Sequence, residues 1–152
     1  MLQEVKAPLA LDSAAVLYRL AYSDAQQLRP YAYARWSMPP AQLVQQRLRE
    51  SLSLSRAVVS PGESSVPLAL RVELQEFSQL FDTPQTSSGF VRLRATLVEV
   101  KGGADQLVAQ QVFVKQQPAF SADAPGGVRA LMAATDAAVE EIGAWLQRQP
   151  AR

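Results

Sequence analysis

Two of the most versatile reactive side chains are missing from this sequence. It contains no histidine, the usual general base near neutral pH, and no cysteine, the usual thiolate nucleophile and zinc ligand. What remains for catalysis is a pair of carboxylates or a serine activated by lysine. Glu140 and Glu141 are the adjacent acids, and they lie on the polar side of an amphipathic stretch, where solvation accounts for them. The lysines are Lys6, Lys101 and Lys115, and none stands in a Ser-x-x-Lys arrangement. Gly102-Gly103 and Gly126-Gly127 lack the spacing and the following Lys-Ser/Thr of a phosphate-binding loop. The remaining carboxylates are scattered, with no Asp-x-Asp run to gather a cation. The residues therefore predict no catalytic, cofactor or metal site, and no enzyme.

Binding chemistry is better represented. Tyr31, Tyr33 and Trp36 form an aromatic cluster with Arg35 among them, suited either to a partner surface or to closing a core. These four are the candidate partner-contact residues. Arg92 and Arg94 near Phe77 and Phe81 suggest an RNA-binding sheet. Cross-strand pairing of those arginines with Glu73 or Glu99 explains them more cheaply, and no nucleic-acid partner is expected. Glutamines at 42, 45, 46, 110, 111, 116 and 117 provide neutral hydrogen-bonding surface.

The elements that must carry these residues follow from periodicity. Residues 31–36 read as extended, and Pro39-Pro40 then stops the strand and starts a helix, because proline suits a helix's first turn and disfavours one before it. Val44, Leu48 and Leu52 recur every fourth position, with Leu43 beside them, which is the stripe of a helix laid on a sheet. Residues 16–22 alternate as a strand, and 23–30 read as a polar connection. Residues 56–59 suggest a short strand before the turn Ser60-Pro61-Gly62. Strands follow at 67–81, 90–101 and 106–116, with a bulge near Gln75-Glu76, a polar loop at 82–89 and a turn at Gly102-Gly103. A helix at 128–149 closes the chain, its apolar line running through Leu131, Thr135, Val139, Ile142 and Trp145. Each helix has one apolar stripe and each strand one better face. The expected class is α+β, a two-layer sandwich of a mostly antiparallel sheet with two helices packed on one face. Residues 1–14 read as a loose N-terminal lead-in, and 15–149 as a single α+β domain.

Composition narrows the partners. The chain has 152 residues, 48% of them hydrophobic, enough for one core without disulfides or metals. Its 15 basic and 14 acidic residues leave a net charge of +1, which disfavours electrostatic binding to nucleic acid or to an anionic membrane. No apolar run reaches the ~18 residues of a membrane span, and residues 1–11 lack the pattern of a signal peptide.

In order and spacing, the sequence resembles the ABC-type transport auxiliary lipoproteins, the family that includes the paraquat-inducible outer-membrane lipoproteins. The resemblance rests on Tyr33-x-x-Trp36, Pro39-Pro40, the Leu43/Leu48/Leu52 helix and Leu74-x-x-Phe77. Further along come Leu93-x-Ala95-x-Leu97, Leu107-x-Ala109-x-x-x-Phe113, Val128-x-Ala130-Leu131 and Ile142-x-x-Trp145-Leu146. It spans residues 15–148. Membership implies a periplasmic, oligomeric scaffold tethered to the outer membrane by an N-terminal lipid. Its implied partners are a mammalian-cell-entry-type protein and an ABC transporter, moving phospholipids or hydrophobic compounds across the envelope. The family's lipid-bearing cysteine has no counterpart here, so anchoring would depend on a lipoprotein signal at the native start. A lipid- or hydrophobic-ligand-binding carrier is the competing expectation, and it requires a sizeable apolar cavity.

Overall fold

The computed structural model describes residues 1–54 and 68–149. The strand and turn expected within 56–62 lie outside the described residues. In chain order the elements are β1 (Ala15–Leu20), β2 (Asp24–Arg35), α1 (Pro40–Ser53), β3 (Leu68–Thr83), β4 (Thr86–Lys101), β5 (Ala104–Pro118) and α2 (Ala124–Gln147), preceded by a short 3-10 turn at Leu9–Leu11. The strands form one sheet in the order β2-β1-β3-β4-β5. Every neighbouring pair is antiparallel except β1 and β3. That parallel step follows from connectivity, since the chain passes through α1 between the two. The arrangement is α+β with two layers.

One face of the sheet makes the core. Along β3 and β4 the cross-strand partners Leu70/Leu97, Val72/Ala95, Leu74/Leu93 and Phe77/Val91 share a side. They are buried against Val44, Leu48 and Leu52 of α1 and against Leu131, Ala138, Ile142 and Leu146 of α2 in a single cluster. Trp145 meets Phe113 of β5 edge-on, with ring centroids 5.7 Å apart. Thr135 sits in this core because its hydroxyl donates to the carbonyl of Leu131, 2.8 Å away. The bulge expected near Gln75 is present, as the β3–β4 register shifts between Leu74 and Glu76. It keeps Phe77 on the core face after the phase of apolar positions slips. Gly102 and Gly103, with φ of 58° and 80°, form the two-residue turn into β5.

Four expectations need correction. Residues 1–14 are no loose lead-in. Met1 to Lys6 runs along the first half of β3, exchanging backbone hydrogen bonds with Leu70, Val72 and Leu74. Leu2 and Val5 are buried, and Gln45 of α1 accepts the amide of Val5 at 3.0 Å. This stretch therefore extends the line of β1 and fills sheet edge that would otherwise expose hydrogen-bonding groups.

The polar connection at 23–30 is mostly strand, because β2 begins at Asp24. The loop at 82–89 shrinks to a turn at Pro84-Gln85, where the hydroxyl of Thr83 accepts the amides of Gln85 and Thr86. Ser87, Ser88 and Gly89 then belong to β4, their polarity being consumed internally. Gln79 donates to Ser87 at 2.8 Å, and Gln116 donates to Ser88 at 2.7 Å. At Gly89 the backbone of α2 lies close against the sheet: a Cβ there would come within 2.5 Å of the Ala130 and Leu131 backbone.

Finally, α2 starts at Ala124 rather than at residue 128. Asp123 is its N-cap and accepts the amide of Gly126 at 2.9 Å, and a proline follows in the first turn.

Candidate functional site

The opposite face of the sheet carries the charges, in pairs. Arg19 forks onto Glu76 at 3.2 and 3.3 Å, and its third nitrogen donates to the carbonyl of Ala25. Arg94 reaches Glu73 at 2.5 Å, and Arg71 pairs with Asp105. Arg92 stands over the Phe90 ring at 5.9 Å. This face alternates charge instead of presenting a basic surface. On the helix side, Lys115 of β5 meets Glu141 of α2 at 2.6 Å, and Arg47 of α1 meets Asp136 of α2 at 3.5 Å. Among the described residues, no group of three or more carboxylates gathers as a metal cradle.

The four sequence candidates separate. Trp36 packs edge-on against Phe77 with centroids 5.5 Å apart, half-buried at the margin of the core. Tyr31, Tyr33 and Arg35 instead line a groove of about 830 Å³ between β2 and the start of α2. Its far wall is built from the small apolar Ala122, Ala124, Pro125 and Val128 together with Asp123. Tyr33 is completely exposed at 103% relative accessibility, and Arg35 is exposed beside it.

Groove geometry depends on an irregularity in β2. Leu17 pairs with Pro30 and Ala15 with Arg35, so the four residues from Tyr31 to Ala34 face Val16 alone. The strand bulges away from its neighbour over this span and its side chains are re-aimed.

The groove's floor is held by a buried glutamine. Gln79 is 0% exposed, accepts the hydroxyl of Tyr31 at 2.6 Å and donates to Ser87 at 2.8 Å and to the Asp123 carbonyl at 3.1 Å. One side chain thus joins β2, β3, β4 and the N-terminus of α2. Gly127 is required above it, because a Cβ there would overlap the Gln79 amide. The Tyr31 ring packs 4.6 Å from the Tyr18 ring, and its phenol pKa is pushed up to about 12, by burial first and then by Tyr18 and Asp123. The Asp123 carboxyl is held below its ordinary value by the Ser121 hydroxyl and the Gly126 amide.

Sequence reasoning missed Gln79 and Asp123. Gln79 looks like an ordinary polar position in a strand, but the signal for Asp123 was legible as Asp followed two residues later by Pro.

The described residues thus form an α+β sandwich with paired charges on one face and an open groove beside β2. The sequence matches the model of the ABC-type transport auxiliary lipoprotein component over residues 1–143, and the chain belongs to that family. No curated protein matches it.

Among solved structures, a Xanthomonas campestris protein of the family model DUF330 superposes with a TM-score of 0.82 at 18% identity, covering 95% of this chain and 81% of its own. A crystal structure of an uncharacterized protein gives 0.76 at 17% identity, covering 95% and 89%. A hypothetical protein of Chlamydia trachomatis gives 0.58 at 13% identity, covering 95% and 96%. At these identities the likeness is one of fold. No helix among the described residues is long and apolar enough to cross a membrane.

Proposed function

We propose that this chain is a non-catalytic docking component of an ABC-type transport system of the cell envelope. It works in the periplasm beside a mammalian-cell-entry-type protein and the ABC transporter, in the movement of phospholipids or other hydrophobic compounds. It is held at the outer membrane where the native start carries a lipoprotein signal. Family membership supports the transport role. The observation that carries the docking role is the groove at residues 31–35, where Tyr33 and Arg35 are exposed while the arginines at 19, 71 and 94 are engaged by carboxylates. An exposed tyrosine beside a cation is the composition of an interface hot spot. The carrier alternative has less support, because the helix–sheet interface is filled by Leu74, Phe77, Leu93, Phe113, Leu131 and Ile142, each at 0–1% exposure.

A photo-crosslinking amino acid at position 33, in cells expressing a tagged mammalian-cell-entry-type protein of the same system, tests the docking role. The expected result is a crosslink from position 33 and none from the exposed position 140 on α2. Equal capture from both positions, or none from 33, would remove the groove from the interface. Phospholipid retained in native mass spectrometry and lost on filling the groove would favour the carrier.

A further inference from the structure

We infer that the groove accepts an extended peptide segment of a partner protein, which adds as a strand to the edge of β2 and places an acidic side chain against Arg35. This rests on the docking reading above and specifies the partner's chemistry.

The first observation is topological. β2 is an edge of the sheet, so one of its two rows of backbone N–H and C=O groups has no strand beside it among the described residues. Over 31–34 the inner row faces Val16 alone.

The second concerns which residues line the groove. Side chains in a strand alternate between faces, so a depression lying over one face touches every second residue. This groove is lined by all five consecutive residues from Tyr31 to Arg35. Because β2 is bulged here, consecutive residues turn toward the groove, and backbone is presented along with side chains. Five residues at ~3.3 Å each make a run of roughly 17 Å, enough for a peptide of similar length to lie alongside.

The third observation selects among ligand chemistries. A helix N-terminus attracts anions when its amides are free. Here the Asp123 carboxylate already accepts Gly126, the Asp123 carbonyl accepts Gly127, and Pro125 has no amide to offer. The α2 side of the groove thus presents small apolar groups together with the ionised Asp123 carboxylate, a lining poorly matched to a phosphate headgroup and well matched to small side chains of a neighbouring strand. Arg35 is exposed and forms no ion pair with a described residue, and the Asp123 carboxylate across the groove is held in place by Ser121 and Gly126. An acidic residue on the incoming strand would pair with Arg35.

The test selects random twelve-residue displayed peptides against the purified protein and measures the winners by fluorescence polarisation. The expected winners carry small apolar residues at alternate positions and one Asp or Glu at a fixed place. Their affinity falls tenfold or more with Arg35→Glu and with Ala122→Trp, an exposed position that plugs the groove without entering the core. N-methylation of alternate peptide amides, which removes strand hydrogen bonds and leaves side chains intact, abolishes binding in one alternation and not in the other. Winners indifferent to both protein variants, an absence of groove-dependent winners, or equal binding of both N-methylated series would overturn the inference. Displacement of a fluorescent long-chain fatty acid from the groove, without any N-methylation effect, would also overturn it in favour of an apolar ligand. Crosslinking of position 33 to the mammalian-cell-entry-type protein while N-methylation has no effect would retain the docking role and sink only the strand mode.

Discussion

Replacing Tyr31 by phenylalanine isolates the bond that holds the groove's floor. The ring, packed 4.6 Å from Tyr18, is unchanged, and a single hydroxyl is lost. Its partner, the Gln79 side-chain oxygen, belongs to a residue that is 0% exposed and is left without that donor. An unsatisfied buried polar group costs about 1–3 kcal/mol. Because Tyr31 is only half-buried and the groove is open, water can partly replace its hydroxyl, so the lower part of that range applies, roughly 1–2 kcal/mol. For a domain of this size each kcal/mol moves the melting point by about 2–4 °C, giving an expected fall of roughly 2–8 °C.

The ionisation of Tyr31 supplies a second readout. Its phenol is neutral when protonated and its folded pKa of about 12 exceeds the ordinary 10, so the folded chain keeps a proton that the unfolded chain releases. Its stabilisation is complete below pH 10 and is lost as pH rises from 10 to about 12. Urea unfolding across that window, for the wild type and Tyr31→Phe, measures both effects, and the share of the alkaline decline due to Tyr31 vanishes in the variant. Tyr33→Phe is the control and leaves stability unchanged. A Tyr31→Phe loss below about 0.5 kcal/mol, with the alkaline slope intact, would refute the view that the hydroxyl–amide bond anchors β2.

Leu2→Ala deletes a side chain buried in the core cluster and is expected to cost about 2–5 kcal/mol in urea unfolding; a change near zero would mean that the leading residues are not part of the core. Gly89→Ala drives a methyl group against the backbone of α2 and is expected to cost ~1–3 kcal/mol or more, with loss of helix–sheet packing visible in near-ultraviolet circular dichroism. Asp123→Ala lowers the melting temperature, whereas Asp123→Asn largely preserves it at neutral pH, since asparagine caps as well. The folded Asp123 carboxyl titrates below its ordinary 3.8, so its contribution is present above that pH and is lost as pH falls through the lower folded value. Acid titration of helicity, run on the wild type and on Asp123→Asn, shows that loss only in the wild type.

Much of the architecture was legible because local signals and tertiary demands agreed. The Val44/Leu48/Leu52 stripe, the alternation of β3 and β4, the bulge near Gln75 and the Gly102-Gly103 turn are each set by short-range periodicity or backbone sterics. The loop expected at 82–89 failed for a tertiary reason. Its serines look solvent-facing in sequence, yet Ser87 and Ser88 are buried and bond Gln79 across the β3–β4 hairpin and Gln116 on β5, contacts that exist only once the sheet has formed. Residues 1–6 failed likewise: they show no period of their own, and their conformation comes from hydrogen bonds to β3, about 67 residues away.

By itself the sequence determined what the protein lacks and how it layers. Without His or Cys and with balanced charge, one-sided helices and strands have to hide their apolar sides against one another. Tertiary structure alone decided that Trp36 turns inward onto Phe77 while Tyr33, three residues away, stands free at a groove. The reason is the four-residue excess of β2 opposite Val16, a mismatch between two strands that neither strand's sequence contains.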